Sequence, residues 1–318
     1  MKKLFAVMGI MGCVSVIFTG CTAKNSNSAT AFLMDTVVNI SADADMQTVN
    51  GAVSLLRQCE GELSRTLPDS VISRLNGGEI QTVDDATAAF LKTALEYCAL
   101  TDGKFDITIG AVSRLWNFNG NTLPDGSEIE SALKNVDYRR VEIDGNTVNT
   151  HGAVLETGAA AKGYAADRVR DYFAENGVKN AIINLGGNVC VMGDDYYTVG
   201  IKNPFAQDEI SAKLKVKNTS VVTSGTYERY MEKDGKKYHH ILDTATGYPV
   251  QTDVISATVI CENSLKADIL STVCVIYGST AALNLINALD DVQAVIITDG
   301  GSILLSDGIY CEDGCYRL

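Results

Sequence analysis

Two Asp-Gly pairs, Asp144-Gly145 and Asp234-Gly235, each stand between short runs of β-capable residues. That arrangement is a strong hairpin signal, because both positions of the favoured two-residue turn need a positive φ that Asp and Gly accept. A hairpin makes its strands antiparallel neighbours, so the chain cannot be one purely parallel sheet. Other strand-like runs fall at 31–40, 181–189, 196–202, 210–216, 219–224, 255–261, 293–298 and 302–306. Helical spacing marks 45–63, with Val49, Ala52, Val53, Leu56 and Leu63 inward. It also marks 85–100, with Ala89, Leu91, Leu95 and Cys98 inward. Ser127 and Glu130 have the spacing of a capping box for a short helix. Residues 64–76 read as a turn-rich loop. No long linker or short-period repeat interrupts the order, so the reading is α+β, with largely antiparallel sheets flanked by helices.

The N-terminal residues read differently. Lys2 and Lys3 precede an apolar run from Leu4 to Phe18, which is too short to span a bilayer and has the composition of a secretory signal. Thr19-Gly20-Cys21 resembles a bacterial lipobox, which makes Cys21 the expected lipidation site. The expected division is therefore a signal peptide over 1–20, a flexible tether over 21–30 and one domain over 31–318. It implies a protein anchored by lipid on the extracytoplasmic face of the cell membrane.

The net charge of −13 argues against a nucleic-acid partner. Cys59, Cys98, Cys190, Cys261 and Cys274 lie in apolar patterns and read as small core residues; Cys311 and Cys315 read as capable of a local disulfide. Histidine is confined to His151, His239 and His240, without HExxH or paired-cysteine spacing, so a zinc enzyme is disfavoured.

The chemistry begins at VLETGAAAKGYAADRV, residues 154–169. It reads as a strand, a turn of small residues and a helix opening on Lys162. A helix N-terminus with a cation suits an anionic group, and Gly158, Ala159, Ala160 and Gly163 leave the backbone open to close approach. An ordinary packed strand-to-helix connection explains the same residues equally well. Asp268 and Thr272, four apart on a predicted helix, share a face; together they suit a hard cation or, alternatively, simple local capping. On a strand, one of His239 and His240 must face in and the other out.

ETGAAAKGYAADR, NLGGN, TSGTYERY, HHILDTATGYPV and KADILSTVCVIYG occur in the order seen in the ApbE family, and FLMDTVV, SRTLPDSVISRLN and TDGKFDITIGAVSRLW fit its N-terminal half. The chain thus resembles the FAD:protein FMN transferases. The resemblance implies Mg²⁺-dependent transfer of FMN from FAD to a threonine hydroxyl of an acceptor protein, such as an electron-transfer subunit or FMN-binding domain, with release of AMP. It implies metal ligation by Ala159, Asp268 and Thr272. It also implies FAD contacts from Lys162, Glu156, Met34, Ala111, Val112, Ser113 and Leu242. His240 is the candidate general base, near its ordinary pKa, and Lys162 its catalytic companion. Glu156 stands where the family usually has aspartate, Thr66 where an aromatic is common, and Thr244 where proline follows the aspartate. The alternatives are an FAD pyrophosphatase, with water as the attacker, and a flavin-binding lipoprotein without chemistry. Ser256-Ala257-Thr258 resembles part of an acceptor motif but reads as core strand.

Overall fold

The computed structural model describes residues 26–318 except Asn119 and Asn121. The signal peptide, Cys21 and the first part of the tether lie outside the described residues. Strands β1 (Asn27–Leu33) and β2 (Thr36–Ala42) form a hairpin through Met34 and Asp35, whose φ angles are 54° and 58°. Strand β1 therefore begins inside the stretch read as tether, and the single strand expected over 31–40 is two.

Helix α1 (Met46–Leu63) follows, capped by Asp45, whose carboxylate accepts the Thr48 N–H. The expected loop over 64–76 contains α2 (Val71–Asn76), because Ser70 supplies a cap to the Ser73 N–H. Helix α3 (Asp85–Leu100) matches the spacing, except that Ala88 is buried and Ala89 faces solvent. After α4 (Gly110–Ser113) comes α5 (Gly126–Leu133), capped by Asp125 and not by Ser127. Strands β3 (Glu142–Asp144) and β4 (Thr147–Asn149) form the expected hairpin, shortened because 138–140 is a turn of 3-10 helix. Val154 makes only an isolated bridge to Ile109, so the expected strand before α6 (Ala161–Glu175) is an extended segment.

The run over 181–189 is also two strands, β5 (Ala181–Leu185) and β6 (Asn188–Met192), turned at Gly186-Gly187 with both φ values positive. Next come β7 (Tyr197–Asn203), β8 (Ala206–Val216), β9 (Thr219–Gly225) and the expected hairpin of β10 (Tyr230–Lys233) with β11 (Lys236–His239). The chain closes with β12 (Val254–Cys261), α7 (Ser264–Tyr277), α8 (Ser279–Asn287), β13 (Gln293–Thr298) and β14 (Ile303–Leu305). A final hairpin, β15 (Tyr310–Glu312) and β16 (Cys315–Arg317), was not expected.

The strands form an antiparallel sheet in the order β1-β2-β5-β6-β9-β12-β13-β14. Helices α1, α6, α7 and α8 cover one face, with Leu56, Val169, Phe173 and Ile269 fully buried in the layer between. Each such side chain removed from water contributes roughly 1.5–3 kcal/mol. The other face packs on a second sheet, β15-β16-β8-β7, through Val189, Val191 and Ile297 against Val199, Ile201 and Leu214. Strands β5 and β6 are thus buried on both faces, which is why apolar residues occupy both sides of their alternation.

The five cysteines read as core are buried and free. In the last hairpin Cys311 stands opposite Tyr316, and Cys315 opposite Glu312. Neighbours along a strand face opposite sides, so Cys311 and Cys315 project from opposite faces of the ribbon and are not positioned to bond. Thr258 lies buried in β12, its hydroxyl 2.8 Å from that of Thr223, as the core reading of that stretch requires.

Candidate active site

Helix α7 crosses α6 at the first turn of α6, and two carboxylates fix the crossing. Asp268 Oδ2 accepts the Gly163 N–H at 2.7 Å; Asp167 accepts the N–H groups of Ser264 and Leu265, each at 2.9 Å. A Cβ on Gly163 would come within 2.7 Å of both Asp268 Cβ and Leu265 Cα. Gly163 therefore admits a helix, not the ligand expected from the sequence. Ala160 has no polar side chain to cap α6, and the Asp268 carboxylate takes that place from α7 by holding the Gly163 N–H.

Burial raises the Asp268 pKa, and the Lys162 ammonium acts against that rise. One turn along α7, Thr272 is half-buried with its hydroxyl 3.1 Å from Ser224 Oγ. At the turn before α6, the Ala159 carbonyl takes no hydrogen bond among the described residues. A carboxylate, a free carbonyl and a hydroxyl form an all-oxygen donor set. That set fits a hard cation that completes its shell with water and substrate phosphate. Among the described residues no three His, Cys, Asp or Glu side chains cluster as a metal cage.

Lys162 also feels Glu228, in the loop after β9, and His240, just past the end of β11. It lowers the pKa of Glu228; the protein packed around that carboxyl nevertheless pushes it up to about 7, although part of the residue is exposed, and the Asp268 charge adds to the rise. His240, at the end of β11, is half-buried while His239 is buried, so the pair splits inward and outward as expected. His240 Nδ1 lies 3.2 Å from the Arg229 carbonyl. A carbonyl only accepts, so Nδ1 carries the proton and Nε2 is the ring's acceptor. The expectation of an ordinary pKa fails: desolvation, with the nearby Arg229 and Lys162 charges, pushes His240 down to about 3. The ring therefore rests neutral at neutral pH.

A second group of residues gathers around Glu156. Its carboxylate accepts the Ser113 hydroxyl at 2.9 Å and the Gly158 N–H at 3.1 Å, and it pairs with Arg65. Thr66 is exposed beside that arginine. Ala111, Val112 and Leu242 are buried; Val112 and Leu242 pack with Trp116, Ile129 and Met231, whose cluster supports the site from beneath. The Thr244 hydroxyl, where the family has proline, ties its loop to the Gly103 carbonyl at 2.8 Å. Met34, in the β1–β2 turn, donates its N–H to Glu60 at 2.7 Å, and its neighbour Asp35 lies 3.5 Å from Arg229. The structure thus joins Lys162, Asp268, Thr272 and His240 at one end of the main sheet. To these it adds Ser224, Glu228 and Arg65, which spacing alone gave no reason to choose. TSGTYERY was a recognisable run, but only the fold shows that its glutamate faces Lys162.

The family profile described as the ApbE family matches residues 34–296. The chain belongs to the ApbE family. Among curated ApbE-type relatives, a protein of Klebsiella pneumoniae (strain 342) named FAD:protein FMN transferase is 36% identical over 262 residues, covering 79% of this chain and 82% of the relative. Another of that name from Treponema pallidum (strain Nichols) is 33% identical over 283 residues, covering 80% and 78%. The crystal structure of an ApbE protein from Thermotoga maritima superposes with a TM-score of 0.81 at 31% identity, covering 89% of this chain and 97% of that one. The flavin transferase ApbE of Vibrio cholerae shares the fold, with a TM-score of 0.80 at 24% identity and coverage of 89% and 97%.

Proposed function

We propose that this chain is an FAD:protein FMN transferase. It passes FMN from FAD to a threonine hydroxyl of an acceptor protein, uses Mg²⁺ and releases AMP. Family membership supports the activity. The observation that carries the site assignment is the latch of Asp268 on Gly163, which puts Lys162, Asp268 and Thr272 at one helix terminus with His240 within electrostatic reach of Lys162.

In the reaction the acceptor oxygen bonds to the FMN-side phosphorus, the bond from that phosphorus to the AMP oxygen breaks, and the threonine proton leaves. Ala159, Asp268 and Thr272 would hold the cation, which when bound would supply positive charge to the pyrophosphate. Lys162 binds a phosphate oxygen from the cleft side, assisted by the positive end of α6. His240 Nε2, unprotonated in the resting enzyme and oriented by the Arg229 carbonyl through Nδ1, takes the proton. Glu156, fixed by Ser113, Gly158 and Arg65, orients the bound FAD near the Met34 turn. We further propose that Cys21 is lipidated, so that the enzyme meets its acceptor at the outer face of the membrane; among the described residues no helix is long and apolar enough to cross one.

The test incubates the purified protein with FAD, Mg²⁺ and an acceptor domain. Covalent flavin on the acceptor together with stoichiometric AMP is the expected result. AMP without labelled acceptor would establish FAD hydrolysis instead, and FAD binding without either product would leave a binding protein. Asp268→Ala should abolish transfer while keeping a cooperative melting transition; full activity in that variant would overturn the metal assignment.

A further inference from the structure

Behind Thr272 lies a row of hydroxyls whose proton directions can be derived one by one. Ser271 Oγ is 2.8 Å from the Asp268 carbonyl, which can only accept, so Ser271 donates its single proton there. Ser224 Oγ is 2.7 Å from Ser271 Oγ; with the Ser271 proton committed, Ser224 is the donor. Ser224 Oγ is also 3.1 Å from Thr272 Oγ1, and its own proton is now used, so Thr272 donates. The protons run from Thr272 through Ser224 and Ser271 to the Asp268 carbonyl.

A threonine on a helix ordinarily turns its hydroxyl back to the carbonyl four residues earlier. For Thr272 that carbonyl belongs to Asp268 and already serves Ser271. Strand alternation supplies the substitute partner: Ser224 shares its face of β9 with Ser220 and Val222, and Val222 packs in the cluster that contains Ala267, Leu270 and Cys274 of α7. Ser271 is fully buried.

We propose that Ser224 is a positioning residue, which draws the Thr272 proton into the protein and so leaves only lone pairs on Thr272 Oγ1 to face a divalent cation. The inference rests on the metal site assigned above. Ser271 sets the direction of the row, and its loss frees Ser224 to reverse and donate to Thr272, which turns the Thr272 proton toward the cation.

The experiment titrates Mn²⁺ into the full chain in the presence of ADP, whose pyrophosphate carries no flavin to transfer, and follows free Mn²⁺ by electron paramagnetic resonance. Ser224→Ala and Ser271→Ala should each weaken Mn²⁺ binding about tenfold or more, the usual effect of losing a partner that orients a metal ligand. Thr258→Val, which deletes a hydroxyl pair on the other face of the same strands, should leave binding unchanged, and all three variants should melt cooperatively. The proposal is overturned if Ser224→Ala binds Mn²⁺ within twofold of the parent while Thr272→Val is weakened tenfold; the metal site then stands without the relay. If Thr272→Val and Asp268→Ala both bind like the parent, the metal assignment itself fails and takes the relay with it.

Discussion

His240 and Glu228 show how strongly a cleft can move single residues, and in opposite senses. The folded His240 stays neutral down to about pH 3, whereas a free imidazole takes a proton near 6.5. Between those values the unfolded chain binds a proton that the folded chain refuses, so His240 costs stability as pH falls from about 6.5. Glu228 keeps its proton up to about pH 7 against an ordinary 4.5, so its contribution is present at low pH and is lost as pH rises through 7. His240→Asn should therefore raise the melting temperature relative to the parent at pH 4.5 but not at pH 8, and Glu228→Gln the reverse; melting curves at the two values check both. The positions of Lys162, Asp268, Thr272 and His240 were legible because each sits in a run with a recognisable partner. The tautomer and pKa of His240 were not, since they depend on a carbonyl eleven residues away on a neighbouring segment. Glu228 was invisible for the same reason: nothing in TSGTYERY says which charge meets the lysine.

Among the elements, long helices and Asp-Gly hairpins were legible because their signals are local. The errors fell where a turn lacked that signature or where burial on both faces hid it. Met34-Asp35 turns a hairpin without glycine, and Gly186-Gly187 turns between two strands whose every residue is buried. The α6–α7 crossing was also misread: small residues near Lys162 looked like room for a ligand, yet Gly163 is room for Asp268 and Leu265. Gly163→Ala should lower stability by about 1–3 kcal/mol, the typical cost of overpacking, and weaken FAD binding with it. Gly158→Ala should do neither to that degree, since a Cβ there meets only the movable end of Glu156 at 3.1 Å. Denaturant titration with flavin fluorescence distinguishes the two.

The whole molecule is three layers, helices, the long sheet and the short sheet, with the site at one end of the middle layer. The antiparallel α+β character was readable from the hairpins, whereas the stacking of the short sheet was not, because its last strands lie in a C-terminal segment with weak periodicity. The thiols are set by this packing: five are enclosed in the layers, and the exposed pair points in opposite directions. Titration of the denatured protein should find Cys59, Cys98, Cys190, Cys261, Cys274, Cys311 and Cys315 all reactive, and a reductant should leave the melting temperature unchanged. The latch between Gly163 and Asp268 joins positions 105 residues apart. Closing so long a loop costs about 4 kcal/mol in chain entropy, which one hydrogen bond does not offset. Pairing of β5, β6, β9 and β12 has to close that distance first. The candidate site is accordingly among the last parts to mature during refolding, and a chain released before Ser264 would hold six of the eight strands of the long sheet yet lack α7, whose Asp268 closes the site.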